Sequence, residues 1–98
     1  MIVRIVKMVF LPEQVQNFVQ LFDERKERIR NFEGCHHLEL WRESGKENIF
    51  FTYSHWENEQ ALNHYRFSEF FKETWGLTKA LFEQKAEAWS VEQERIVG

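Results

Sequence analysis

Cysteine is nearly missing from this chain: Cys35 is the only one among 98 residues. That excludes an internal disulfide and fits a reducing compartment. Proline (one) and glycine (four) are scarce as well, and no linker, low-complexity segment or internal repeat interrupts the sequence. No apolar run approaches membrane-spanning length, and the first ten residues, MIVRIVKMVF, are broken by Arg4 and Lys7 and lack a small-residue cleavage site. The expectation is therefore no signal peptide, no membrane association and a cytoplasmic protein. A surplus of positive charge is also missing: the formal net charge is -3, which argues against nucleic acid as a partner, because neutralising phosphates needs clustered Lys and Arg. The one basic cluster, ERKERIR from Glu24 to Arg30, alternates with Glu and reads as a solvated helix face laced with i,i+4 pairs.

Aromatic rings are what the sequence has in excess. Ten Phe and four Trp, in a chain 16% aromatic overall, are many for a single domain spanning residues 1–98. A domain this small folds unaided but has little interior for so many large rings. A subunit interface or a ligand cavity is expected to take part of them.

Periodicity gives the order of elements. Residues 2–10, IVRIVKMVF, are β-branched and apolar on both alternating faces and read as a strand buried on both sides. Pro12 opens a helix whose inner face carries Val15, Phe18, Phe22, Ile29 and Phe32, and Gly34 is expected to close it. CHHLELWRE (35–43) and IFFTYSHW (49–56) read as strands joined by the turn SGKEN. Asn58 is a helix cap ahead of Leu62 and Tyr65, and Ser68 caps a short helix carrying Phe70, Phe71 and Trp75. Gly76 is expected to end or kink that helix, with one more turn in LTKALF, and KAEAWSVEQ (85–93) is the last strand. This β-α-β-β-α-β order predicts an α+β, ferredoxin-like fold, a four-stranded antiparallel sheet with helices on one face. Strands apolar on both faces leave the other side seeking cover, and an identical sheet from a second chain, a homodimer, supplies it most simply.

FEGCHHLELWRE, FFTYSHWENEQALNHYRFSEFF and AEAWSV resemble the antibiotic biosynthesis monooxygenase family, whose fold is the dimeric α+β barrel. The similarity covers nearly the whole chain. It implies oxidation of a small aromatic or quinol-like compound by O₂, commonly without a cofactor, the substrate anion itself supplying the electrons. The protein's part is then to take up a proton, keep the substrate dry and stabilise its anion. On this resemblance Trp56 and His64 match site positions. Thr52 stands where quinone-forming members place an Asn four residues before the strand-end Trp; it has a hydroxyl but no amide N–H. A haem-degrading branch of the family also exists, but its key positions fall on or beside Lys7, on Tyr65 and on Trp75, so none of its residues is retained.

The candidate site residues follow. His64 is the candidate catalytic base, its bland alternative being a hydrogen-bonded structural His near a pocket mouth. Trp56 is a candidate for stacking on a planar ligand or is simply core. Tyr53, Thr52, Tyr65 and Phe71 complete the expected substrate-binding set, with Phe67 and Phe70 sharing the enclosure. Ser68 reads as a cap rather than a nucleophile. His36 and His37 are neighbours on a strand, point to opposite faces and cannot chelate one metal ion, although His55 could meet one of them across the sheet. Three readings stay open: a cofactor-independent monooxygenase, a non-catalytic homodimeric binder of a small apolar ligand, and a haem-binding or haem-degrading protein.

Overall fold

A computed structural model describes all 98 residues. Strand β1 (Ile2–Phe10) is followed by a single 3-10 turn, Pro12–Gln14, and helix α1 (Val15–Arg30). Strands β2 (Cys35–Arg42) and β3 (Ile49–Trp56) form a hairpin, helices α2 (Glu59–Arg66) and α3 (Glu69–Lys79) follow, and β4 (Phe82–Val91) closes the order. The sheet order is β2-β3-β1-β4, antiparallel throughout. This is the ferredoxin-like arrangement that the periodicity predicts.

Three boundaries differ from the sequence expectations. Helix α1 ends at Arg30 rather than running to Gly34. Gly34 instead sits in the turn into β2 at φ +88°, where a Cβ would lie 2.4 Å from the Ala61 side chain on α2. It is there for a left-handed backbone and a close helix approach, not as the residue after a helix. Helix α3 runs through Gly76 to Lys79, because one glycine costs only about 1 kcal/mol and flanking packing overrides it. Strand β4 begins at Phe82 rather than Lys85, since Phe82 packs its ring on Phe10.

Alternation divides each strand between two faces. Facing the helices are Arg4, Val6, Met8 and Phe10 from β1, Leu38 and Leu40 from β2, Phe50, Thr52, Ser54 and Trp56 from β3, and Ala86 and Ala88 from β4. The interior forms two clusters. One joins Ile29, Cys35, Trp56, Leu62 and Tyr65; the other joins Met8, Phe10, Phe18 and Phe50, with Phe10 stacked on Phe18 at 4.0 Å. The opposite face of the sheet has no covering element, so the sequence reading of β1 as doubly buried holds only at its ends, where Val3 and Val9 are buried while Ile5 and Lys7 stay half-open.

Candidate functional site

Between the two clusters the layer does not close. On either side of β1 the sheet's inner face presents small residues, Thr52 and Ser54 of β3 and Ala86 and Ala88 of β4, whereas Phe50, Trp56 and Phe82 flank them along the strands. Helices held at a distance by the large residues cannot collapse onto the small ones, and a cavity of about 310 Å³ remains. Its helical wall is Phe18, Leu21, Phe22, Ile29, Leu62, Tyr65, Phe71 and Trp75. A volume at the lower end of the ~300–1,000 Å³ typical of ligand pockets, with mainly apolar walls, suits a compact planar molecule.

The wall is rigid. Trp56 is 1% exposed, donates its indole N–H to Ser54 Oγ at 2.9 Å, and stacks on Tyr65 at 4.7 Å. Tyr65 meets Phe71 edge-on at 5.0 Å, and Phe71 stacks on Trp75 at 5.9 Å. The same burial pushes the Tyr65 phenol well above its ordinary value, with the Cys35 thiol adding to the effect, so this group holds its proton at every physiological pH. Two caps fix the helices that carry these rings: Asn58 accepts from the Ala61 N–H at 2.8 Å, and Ser68 Oγ accepts from the Phe71 N–H at 3.1 Å. Ser68 is thus a cap, as its sequence context suggests.

The polar groups on the wall are the hydroxyls of Thr52, Ser54, Thr74, Thr78 and Tyr65, and three guanidinium groups, Arg4, Arg25 and Arg66. Arg25 donates to Thr74 Oγ1 at 2.9 Å and pairs with Glu73 at 3.2 Å. No carboxylate and no imidazole lines the cavity. No group of three His, Cys, Asp or Glu side chains is placed to hold a metal ion.

The expected site residues therefore separate. Thr52, Trp56, Tyr65 and Phe71 line the cavity. His64 does not reach its polar edge as expected: it faces solvent on the outer side of α2, edge-on to Phe32 at 5.8 Å, because a helix sends Tyr65 inward and turns its neighbour about 100° away. Tyr53 lies on the other face of the sheet, one residue out of phase with Thr52 and Ser54. There its ring stacks on Trp41 at 4.6 Å, and its hydroxyl lies 2.7 Å from His55 Nε2. Phe67 is 73% exposed and encloses nothing, and Phe70 packs on Phe32 beneath Arg28. Sequence reasoning missed Arg4 and Arg66. The alternation of β1 places Arg4 on the same face as Val6 and Met8, and that was the available signal.

His36 and His37 diverge as predicted, His36 to Glu57 at 3.3 Å and His37 to Glu39. His37 and His55 do meet across the sheet, ring centres 5.1 Å apart.

Comparison with known proteins places this architecture. The sequence profile of the family described as antibiotic biosynthesis monooxygenase matches residues 1–75. No curated protein matches the sequence. Among solved structures, an antibiotic biosynthesis monooxygenase superposes with a TM-score of 0.90 at 20% identity, over 97% of this chain and 100% of that one. A conserved protein from Methanosarcina mazei Go1 superposes with a TM-score of 0.88 at 26% identity, over 95% of this chain and 93% of that one. A mutant of SnoaB, a cofactor-independent oxygenase from Streptomyces nogalater, gives 0.84 at 15% identity, over 98% and 95% of the two chains.

Proposed function

The chain belongs to the antibiotic biosynthesis monooxygenase family, and from that premise we propose that it is a cytoplasmic, homodimeric member that oxidises a small aromatic or quinol-like compound with O₂ in the cavity between sheet and helices. The observation that carries this reading is the cavity itself, about 310 Å³ and walled by Trp56, Tyr65, Phe71 and Trp75. Stacked rings hold a planar substrate, and the water-poor interior strengthens each polar contact with it. The likeness to a cofactor-independent oxygenase supports a reaction in which the substrate supplies the electrons. For a methylene flanked by two aromatic rings the balance is CH₂ + O₂ → C=O + H₂O: the ionised carbon is oxidised, one oxygen atom stays in the product and the other leaves as water.

Homodimerisation is the second part of the proposal. The uncovered sheet face exposes Trp41 (40%), Trp89 (44%) and Val91 (42%), an apolar stripe that a second copy of the same face would bury.

The non-catalytic alternative has its own support. No carboxylate or imidazole lines the cavity, and Thr52 offers a hydroxyl where quinone-forming relatives have an amide. Two measurements separate the readings. O₂ consumption with a panel of anthrones and hydroquinones, lost when Ala88→Phe fills the cavity, supports turnover there. Saturable binding of the same compounds without O₂ uptake supports the binding module. The role of His64 is read from His64→Ala in the same assay. A fall of about 10²-fold or more with unchanged melting makes it the base, and a rate within about twofold of wild type assigns the proton to solvent.

A further inference from the structure

The cavity lining carries two cations that belong to no ion pair. Arg4 lies mid-strand on β1, opposite Ser54 of β3 and Ser90 of β4. It is among the residues lining the cavity, and its guanidinium donates to Ser90 Oγ at 3.0 Å on the exposed rim. Arg66, in the last turn of α2, lines the same cavity from above. Neither belongs to any of the ion pairs in the molecule. Glu59 and Glu92 line a neighbouring cleft together with Arg66 and Ser90, but neither comes within ion-pair distance of either arginine. Arg25, by contrast, pairs at 3.2 Å with Glu73, which lies outside the cavity lining.

Two guanidinium groups near each other at the edge of an apolar cavity are an unfavourable arrangement in the empty protein. Partial burial and the charge of Arg66 both lower the Arg4 pKa. An anion between them relieves both effects, and a carboxylate matches the guanidinium fork in geometry. We propose that Arg4 and Arg66 form a carboxylate-binding site at the cavity mouth, so that the ligand is an aromatic carboxylate: its ring system between Trp56, Tyr65, Phe71 and Trp75, its acid group between the two arginines. This rests on the cavity being the binding site and adds the class of compound it selects. It also gives the chain a way to hold substrate anion without a lining base, since fixed cations stabilise negative charge spread over a conjugated acid.

The experiment is calorimetric titration of the protein with 2-naphthoate and with its neutral counterpart, 2-naphthalenemethanol. The wild type should prefer naphthoate by about tenfold or more, the size expected of a partly desolvated charge pair. Arg4→Gln and Arg66→Gln should each reduce that preference to about threefold or less, weakening naphthoate more than the alcohol; Lys26→Gln, an equal change of net charge on the outside of α1, should leave it intact. Thermal unfolding near the wild-type temperature shows that each variant is folded. Equal affinity of the wild type for the two compounds, or a preference that survives Arg4→Gln with Arg66→Gln, overturns the carboxylate site and leaves the cavity reading standing. Failure of both compounds to bind at millimolar concentration removes the cavity reading, and the inference with it.

Discussion

Gly34 shows how much one residue can decide. Its φ of +88° and the 2.4 Å approach that a Cβ would make to Ala61 leave alanine no comfortable place. Gly34→Ala is expected to cost about 2–4 kcal/mol, the sum of left-handed strain and overpacking, measured by urea unfolding. Trp56 is the complementary case, a residue whose loss leaves a void. At 1% exposure and stacked on Tyr65, its replacement by alanine should cost about 3–5 kcal/mol and weaken any cavity ligand at the same time. Both positions could be singled out in the sequence, but only one for the right reason. Trp56 at a strand end reads as wall or core and is both, whereas Gly34 reads as a helix stop because the clash with α2 is a contact between residues 27 positions apart.

Among the elements, the α2–α3 segment was the most legible, since its two caps are local chemistry. Asn58→Ala and Ser68→Ala should each lower stability by about 1 kcal/mol in thermal unfolding, by leaving the Ala61 or Phe71 N–H without its acceptor. Gly76 gives the opposite expectation. It lies inside α3 with open space around it and an ordinary helical φ, so Gly76→Ala should stabilise the protein by about 0.5–1 kcal/mol. A glycine in a helical pattern is ambiguous in sequence because stopping a helix and merely weakening it leave the same letter. Here the packing of Trp75 on Phe71 and Phe82 carries the helix past it.

For the molecule as a whole, the uncovered sheet face links assembly to pH. His55 lies there beside His37, Glu39 and Tyr53. Burial holds its pKa below the ordinary 6.5, His37 and His36 add to the depression, and Glu39 opposes it. A histidine with a depressed folded pKa is favoured neutral: above about 6.5 its contribution is intact, and as pH falls below that value the unfolded chain takes up a proton that the folded one resists. Stability should therefore decline between pH 7 and 5. If the face is a dimer interface, dissociation should accompany the decline, because further burial depresses His55 more. Light scattering at pH 7.5 and 5.5 checks this: a dimer at the higher pH that loosens at the lower is expected, and His55→Gln should flatten the dependence. At neutral pH, Trp41→Glu with Trp89→Glu should yield a monomer.

By itself the sequence determined the element order and the helix caps, because each is written in nearest-neighbour chemistry or in a period of two or 3.6 residues, and its motifs carried the resemblance to the family. Of the substrate-binding set it named, Thr52, Trp56, Tyr65 and Phe71 line the cavity and Tyr53 does not. What it could not determine is where the inner layer fails to close. The cavity arises from small residues on β3 and β4, separated by more than thirty positions, standing on either side of β1 under rings from three helices. The one-residue phase that sends Tyr53 and His64 away from that cavity, and the strand register that sets Arg4 between Ser54 and Ser90 beneath Arg66, were decided only when the sheet and helices packed. A side chain's neighbours across a layer depend on register and helix rotation, and neither is fixed until every element is in place.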